Sequence, residues 1–358
     1  MLRSLFSGIS GLRSHQTMMD VTGNNIANVN TVGYKSSQTQ FQDTLSQVVQ
    51  SAGAPTGERG GTNPAQVGLG VRLAGITTNF GQGAAQLTGR STDLMISGDG
   101  FFVVNNGGQQ MFTRAGSMSF DAQGRLVTPE GAFLQGWNAD AQGAINPNGP
   151  LGQIAVPAGQ LMPPAATTQI VLTGNVDPGN TGFVTEIETF DANGVASTTT
   201  VTFANGAWTS SNGLAVDASA VTTYAGETTA AATSQDGNAA GSLQAFTIGP
   251  DGVLTGVFSN GLKQALGQVA LGSFTNPAGL EKAGGSLYRT SVNSGNAQIG
   301  AAGEGGRGTL AGGTLEMSNV DLAQEFTNLI VAQRGFQANS RVITTSDELL
   351  QELVNLKR

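Results

Sequence analysis

Few side chains in this sequence could perform chemistry, and they lie far apart. His15 is the single histidine, which excludes a metal site built from several histidines, and any Ser-His-Asp triad would have to form around this one ring. Cysteine is absent, so disulfides, thiolate nucleophiles and Cys-ligated zinc are excluded as well. A glycosidase needs only two carboxylates that flank the substrate bond. The carboxylates that we weigh for such a pair are Asp93, Asp99, Asp121, Glu130, Asp191 and Asp251.

Most of these carboxylates lie beside glycine in turn-like sequences, where an aspartate ordinarily accepts hydrogen bonds from its own turn. Asp121, Asp140 and Asp191 each begin an Asp-x-x-Gly sequence, and Asp251 is followed directly by glycine. No glycine-rich stretch has the spacing or the lysine of a phosphate-binding loop. We therefore expect a protein that is not an enzyme and that binds no cofactor and no metal.

Two helices with seven-residue repeats are the elements that would position any functional surface. We predict one helix over residues 2–28 and a longer one from about 320 to 355, which begins at a capping box of Ser318 and Asp321. Sustained heptads predict that the two helices pair as a coiled coil. The repeat residues, which we expect at a self-assembly interface, are Leu5, Ile9, Leu12, Met19 and Ile26 at the front and Leu322, Leu329, Phe336, Ile343 and Leu350 at the back.

A helix hairpin inside a monomer would also explain two paired repeats. It would not explain their unequal lengths, because the longer helix would keep apolar surface that the shorter one cannot cover. Exposed apolar patches usually mark association sites. The pattern therefore favours a polymer of many copies of this chain.

Charge is distributed unevenly along the 358 residues. Residues 126–262 contain no lysine or arginine but ten acidic residues, whereas the whole chain has a formal net charge of −8. Nucleic-acid binding rests on basic residues that neutralise phosphates, so it is not expected. No run of apolar residues is long enough to span a membrane, and the first 30 residues lack the apolar core of a cleaved signal peptide.

The region between the helices is rich in glycine and threonine and predicts short strands joined by turns. We also expect a short helix within residues 35–50. A cluster of prolines between 146 and 164 marks a domain boundary. The predicted fold is mixed α and β, with inner and outer antiparallel β domains inserted between the helices. Its predicted parts are a helical domain (1–30 and 318–358), connecting segments (31–70 and 296–317), an inner β domain (71–149 and 241–295) and an outer surface β domain (150–240).

Several segments resemble a known family, the bacterial flagellar axial proteins, and within it the hook proteins. The resemblance covers both ends of the chain and most of the predicted inner β domain, whereas residues 150–240 match weakly. The matching segments are Asp20-Val-Thr-Gly-Asn-Asn-Ile-Ala-Asn28, Gly33-Tyr34-Lys35, Val67 to Ile76, Asp93 to Phe102, Thr113-Arg114 through the Asp121 turn to Val127, Leu266 to Leu280, Glu316 to Asp321 and Asn328 to Arg334.

This resemblance implies a structural subunit of the flagellar hook, a flexible curved tube that acts as a universal joint between the motor and the filament. It implies that the terminal helices form the inner tube. It further implies an extracellular place in the hook after type III export without a cleaved signal peptide. The implied partners are other copies of the chain, the distal rod protein, the hook cap, the hook–filament junction proteins and the export apparatus.

Two alternatives stay open at this point. A distal flagellar rod protein shares the terminal motifs but lacks a sizeable outer domain. A secreted β-rich adhesin would explain the threonine and glycine content but not the repeats at both ends.

Overall fold

The computed structural model describes residues 2–55, 57, 59–156, 159–180 and 182–355. The chain forms two units. The first consists of Met1–Met118, Thr128–Ala132 and Leu271–Arg358, and the second consists of Ser119–Val127 and Phe133–Ala270. The first unit therefore contains both ends of the chain, and the second is built almost entirely from its middle.

Both predicted helices are present in the first unit. Helix α1 spans Leu2–Ala27 and helix α2 spans Leu322–Asn355. Asp321 caps α2, because its Oδ1 accepts hydrogen bonds from the N–H groups of Ala323 (2.9 Å) and Gln324 (3.3 Å). A carboxylate at this end also complements the helix dipole. The predicted capping role of Ser318 is wrong: its Oγ accepts from the N–H of Val320 at 3.4 Å, and this bond lies before the helix begins.

Among its described residues, the first unit also contains eight strands that precede the second unit in the chain. Several of them form antiparallel pairs: β1 pairs with β4, β2 with β3, and β7 with β8. These strands are β1 (Ser37–Asp43), β2 (Ser46–Gln50), β3 (Ala65–Gly68), β4 (Val71–Thr78), β5 (Ala85–Leu87), β6 (Leu94–Ser97), β7 (Phe101–Asn106) and β8 (Gln109–Thr113).

The short helix predicted within 35–50 is wrong, because this segment forms β1 and β2. Phe41, Leu45 and Val48 have helix-like spacing, but a break at Thr44 and Leu45 places Phe41 and Val48 on different strands. Phe41 lies opposite Leu73 of β4, and Val48 lies opposite Gln66 of β3. The pairing with β3 and β4 decides the structure here, and it is not visible in the local pattern.

Among its described residues, the second unit contains fourteen strands. Five of them are neighbours in a sheet in the order β13-β20-β21-β22-β11, and two three-stranded sheets have the orders β18-β14-β19 and β15-β16-β17. The strands are β9 (Ser119–Phe120), β10 (Leu126–Val127), β11 (Phe133–Asn138), β12 (Gly152–Gln153), β13 (Leu161–Met162), β14 (Gln169–Asn175), β15 (Phe183–Phe190), β16 (Ala196–Ala204), β17 (Ala207–Ser210), β18 (Ala215–Thr222), β19 (Ala231–Gln235), β20 (Gly241–Ile248), β21 (Val253–Phe258) and β22 (Lys263–Val269).

The outer part of this unit was predicted to be antiparallel, and the structure shows that this prediction is wrong for one strand pair. Strands β14 and β18 pair in parallel, with Gln169 opposite Ala215 and Asn175 opposite Thr222. A parallel pair needs a long crossover, and here β15, β16 and β17 supply it. The two small sheets pack through buried Ile170, Leu172 and Val201, with Trp208 partly buried against them. Alternation along a strand does not reveal the direction of its neighbour, so the sequence pattern missed this pairing.

The chain then returns to the first unit and completes its core. Phe101, Phe274 and Tyr288 meet edge to face, with ring centroids 5.6 and 5.9 Å from Phe101. Such aromatic contacts add to the burial of apolar area. The returning elements are β23 (Leu271–Ser273), a 3-10 turn (Pro277–Gly279), β24 (Glu281–Gly284), β25 (Leu287–Arg289), β26 (Gln298–Gly300), β27 (Thr309–Gly312) and β28 (Thr314–Glu316).

Candidate self-assembly surface

Helices α1 and α2 pack against each other in the first unit through glycines. A methyl group on Gly335 would lie 2.5 Å from ring atoms of His15, and one on Gly11 would lie 2.6 Å from Nδ2 of Asn339. A methyl group on Gly8 would lie 3.3 Å from Ile343. Glycine at these positions therefore leaves room for side chains of the other helix that a methyl group would displace. His15, the single histidine, therefore packs in the helix interface. The centroid of its ring lies 6.0 Å from the centroid of the Phe41 ring.

The inward stripe of α2 follows the spacing of four and three residues that a heptad repeat requires. Four of the predicted residues lie on this stripe and are half-buried: Leu329, Phe336, Ile343 and Leu350. The alternate positions are small or polar rather than apolar, and they are Glu325, Ala332, Asn339 and Ser346. The two helices pack against each other, whereas their pairing as a coiled coil stays a prediction.

The predicted residues of α1 lie beside the closest contact rather than in it. Leu5, Ile9, Leu12, Met19 and Ile26 are all half-buried. The fully buried positions of this helix are their small or polar neighbours, namely Gly8, Gly11, Ser14, Thr22 and Asn25. The half-buried apolar residues therefore retain surface that a neighbouring molecule could cover.

A buried polar contact fixes the two helices at the end of α1. Asn25 Nδ2 donates to Glu325 Oε1 of α2 at 3.0 Å and to the carbonyl of Ser37 at 2.8 Å. Its Oδ1 accepts from the N–H of Ser37 at 3.0 Å and from the hydroxyl of Tyr34 at 3.1 Å. Burial, together with the nearby charge of Glu325, raises the pKa of Tyr34. A single side chain thus connects α1, α2 and β1.

Helix α2 also presents an apolar stripe to solvent. Leu322, Phe326 and Ile330 follow one another at four-residue spacing, and their exposed fractions are 40, 50 and 57%. Val331 is exposed beside them, as is Phe6 on α1. Leu322 alone among these belongs to the predicted interface, because it follows the strict seven-residue repeat. The four-residue spacing that begins at Leu322 is the sequence signal that could have predicted Phe326 and Ile330 as exposed apolar residues. Stripes of this kind usually mark association sites.

Two turn aspartates, Asp140 and Asp191, serve their own turns, and Asp191 is one of the carboxylates that we weighed for catalysis. Asp140 Oδ1 accepts from the N–H groups of Gln142 and Ala144, at 3.0 and 2.7 Å. Asp191 makes the same two bonds to its turn, and the hydrogen bond from the N–H of Val195 lowers the pKa of this carboxyl. These contacts are those of Asx turns. The carboxylates of Asp140 and Asp191 thus have a structural use that is independent of any substrate.

Comparison with known proteins places the chain in a family. Three family models match it, described as flagella basal body rod protein (residues 5–35), flagellar hook protein FlgE/F/G D1 domain (95–177) and flagellar basal body rod FlgEFG protein C-terminal (311–356). The flagellar hook protein FlgE of Borreliella burgdorferi is 37% identical, and that of Treponema pallidum is 36% identical, each over the full length of both chains. The chain belongs to the flagellar hook and rod protein family.

Further relatives cover both branches of the hook and rod family. The flagellar basal-body rod protein FlgG of Bacillus subtilis is 39% identical over the full length of both chains. A crystal structure of the flagellar hook protein FlgE2 of Helicobacter pylori matches 65% of this chain and all of that chain, with a TM-score of 0.51 and 14% identity. At that identity the likeness concerns the fold alone.

Among the described residues of this family member, neither helix is both long and apolar enough to cross a bilayer.

Proposed function

We propose that this protein is the structural subunit of a bacterial flagellar hook, which polymerises into a curved tube and transmits torque from the motor to the filament. The observation that carries the proposal is the full-length similarity to two hook proteins, from one end helix to the other. The exposed apolar stripe of α2 supplies the physical means of assembly. Its three side chains leave apolar surface that another molecule can cover.

The proposed contact places Leu322, Phe326 and Ile330 against the helices of a second copy. Complete burial of such a side chain contributes about 1.5–3 kcal/mol, and roughly half of each remains to be buried. Three of them would therefore contribute about 3 kcal/mol per contact. Repeated along a tube, contacts of this size would hold copies together strongly at the helices.

The second unit would make weaker contacts with its neighbours. It contains ten acidic residues but only Arg125 and Lys263 as basic ones, so it carries −8 and the first unit is neutral. Like charges on adjacent copies repel, and the repulsion is screened by salt. We propose that the second units slide past one another when the tube bends, because polar and repelling surfaces form no fixed contact. Partners such as the distal rod protein, the hook cap and the junction proteins, and type III export, belong to the same proposal.

The experiment compares two aspartate substitutions on α2. Ile330→Asp puts a charge into the proposed contact, whereas Thr327→Asp puts the same charge on a nearby exposed position outside the stripe. We expect Thr327→Asp to form tubes in electron micrographs and Ile330→Asp to form none, with the same thermal unfolding of the β strands in both. Normal tubes from Ile330→Asp would refute the proposed contact. Straight, stiff tubes from the unmodified chain would assign it to the rod instead of the hook.

A further inference from the structure

Three charged side chains lie together inside the first unit, away from the assembly surface. The side chains of Lys35 and Glu316 are completely buried, and 2% of the Arg114 side chain is exposed. Burial lowers the pKa of Lys35 and of Arg114, and the nearby Glu316 carboxylate opposes both shifts. Two cations around one carboxylate leave a net positive charge in the interior, which is a costly arrangement unless each group has fixed partners.

Glu316 is the centre of the cluster. Its Oε1 accepts from Lys35 Nζ at 2.6 Å and from the N–H of Gly83 at 2.8 Å, and its Oε2 accepts from Arg114 Nη1 at 3.4 Å. The backbone carbonyl of Glu316 accepts from the N–H of Gly33 at 2.8 Å. Each cation also donates to a backbone carbonyl: Lys35 Nζ donates to Gly81 at 2.8 Å, and Arg114 Nη2 donates to Gly98 at 2.9 Å. The buried Arg114 Nε has no hydrogen-bond partner among the described residues.

The cluster lies where both helices join the β strands. Lys35 belongs to the segment between α1 and β1, and Glu316 is the last residue of β28, just before the segment that leads to α2. Arg114 directly follows β8 and anchors the carboxylate to the body of the unit. Asn319 adds a second bond between the two segments, because its Oδ1 accepts from the N–H of Ser36 at 2.8 Å.

Buried ion clusters contribute little to stability when compared with apolar residues of similar size, and in some proteins they select one definite geometry. We infer that Lys35, Arg114 and Glu316 form a joint that fixes the direction in which both helices leave the β strands. They are positioning residues for polymerisation, since the stripe on α2 can meet a second copy only if α2 projects correctly. This inference rests on the proposed function.

The decisive variant is Lys35→Met combined with Glu316→Gln. It removes one positive and one negative charge, so the net charge of the cluster is unchanged. The glutamine oxygen can still accept from the N–H of Gly83, while the ionic bond between the two helix connections is lost. The matched control is Arg289→Met with Glu281→Gln, which removes an exposed ion pair of the same unit, with a distance of 2.7 Å.

Polymerisation and helix direction are measured together. Because the chain has no cysteine, Gln109→Cys on β8 and Ala338→Cys on α2 introduce a clean pair of spin labels. Labelled chains are copolymerised with an excess of unlabelled wild-type chains. The distance between the two labels is then measured by pulsed electron paramagnetic resonance. We expect the joint variant to broaden this distance distribution and to raise the critical concentration of polymerisation at least tenfold. Its unfolding midpoint should fall, because Arg114 loses its carboxylate partner, but it should stay above the temperature of the assay. The control should change none of these quantities.

Three results would overturn the joint. The first is a narrow, unshifted distance distribution in the joint variant together with wild-type polymerisation. The second is an unfolding midpoint that collapses together with polymerisation, since that would mean a role in stability alone. The third is a control variant that behaves like the joint variant. A wild-type chain that forms no tubes would instead refute the proposed function, and the joint would then be judged from the label distances in the monomer.

Discussion

Gly335 offers the sharpest test of how the two helices pair. A methyl group at this position would lie 2.5 Å from Cε1 and Nε2 of His15, so Gly335→Ala must displace the ring or separate the helices. Overpacking of this kind costs about 1–3 kcal/mol. Alanine in place of glycine inside a helix also gains about 1 kcal/mol of helix propensity. The net effect on the pair is therefore a loss of about 0–2 kcal/mol.

A second glycine, Gly23, serves as a control that separates the cost of overpacking at Gly335 from the gain in helix propensity. Gly23 lies on α1, and a methyl group on it would meet no atom of a neighbouring element within 4 Å, so Gly23→Ala should gain helix propensity without any clash. We expect the helix pair to become ordered on assembly, so the cost of overpacking is paid in the tube and not in the monomer. The ratio of the critical concentrations of the two variants then reports overpacking alone. At about 1.4 kcal/mol per tenfold change, 1–3 kcal/mol corresponds to a ratio of about 5- to 150-fold. The assay is sedimentation of tubes at equilibrium over a series of protein concentrations.

His15→Ala completes the cycle. Without the imidazole ring the methyl group on residue 335 has space, so Gly335→Ala should become as favourable as Gly23→Ala, and the ratio should fall to about one. If Gly335→Ala polymerises as readily as Gly23→Ala while His15 is present, the close contact between the two helices is wrong.

Three further predictions concern other parts of the chain. Leu329→Asp should abolish tubes in electron micrographs by separating α2 from α1, while thermal unfolding shows that the β strands remain folded. Replacement of residues 166–237 by an Asn-Gly turn should leave tubes whose bending stiffness and curvature, measured from micrographs, differ from those of wild type; unchanged values would contradict the sliding role of the second unit. The pKa of Asp236 is about 2, because the Thr168 hydroxyl and backbone N–H groups donate to its carboxylate, so its contribution to stability is complete above about pH 4 and is lost as the pH falls through about 2. Acid unfolding of the Asp236→Asn variant should lack this component, and an identical acid transition would contradict it.

Features set by nearby residues could be predicted from the sequence. The heptad repeats predicted the existence and length of α1 and α2, and the Asp-x-x-Gly sequences predicted their turns, since both patterns act within a few residues. Features set by distant partners could not be predicted. Lys35 and Glu316 are 281 residues apart, the parallel pairing of β14 with β18 depends on a crossover, and β1 needs β4 to become a strand. The glycine contact at Gly335 was missed because a search for apolar residues passes over the positions without side chains.

The pair of Ala165 and Asn238 has a consequence for how this chain can vary. Each donates its N–H to the carbonyl of the other, at 3.1 and 2.9 Å, so the two Cα atoms are about 5.5 Å apart, as in a narrow antiparallel pair. The segment between them, residues 166–237, therefore begins and ends at one narrow pair of neighbouring residues. A domain of different length can replace this segment if its own termini lie side by side. A fluorescent domain, an epitope or a glycan acceptor grafted there would leave the sequences of α1, α2 and the joint unchanged.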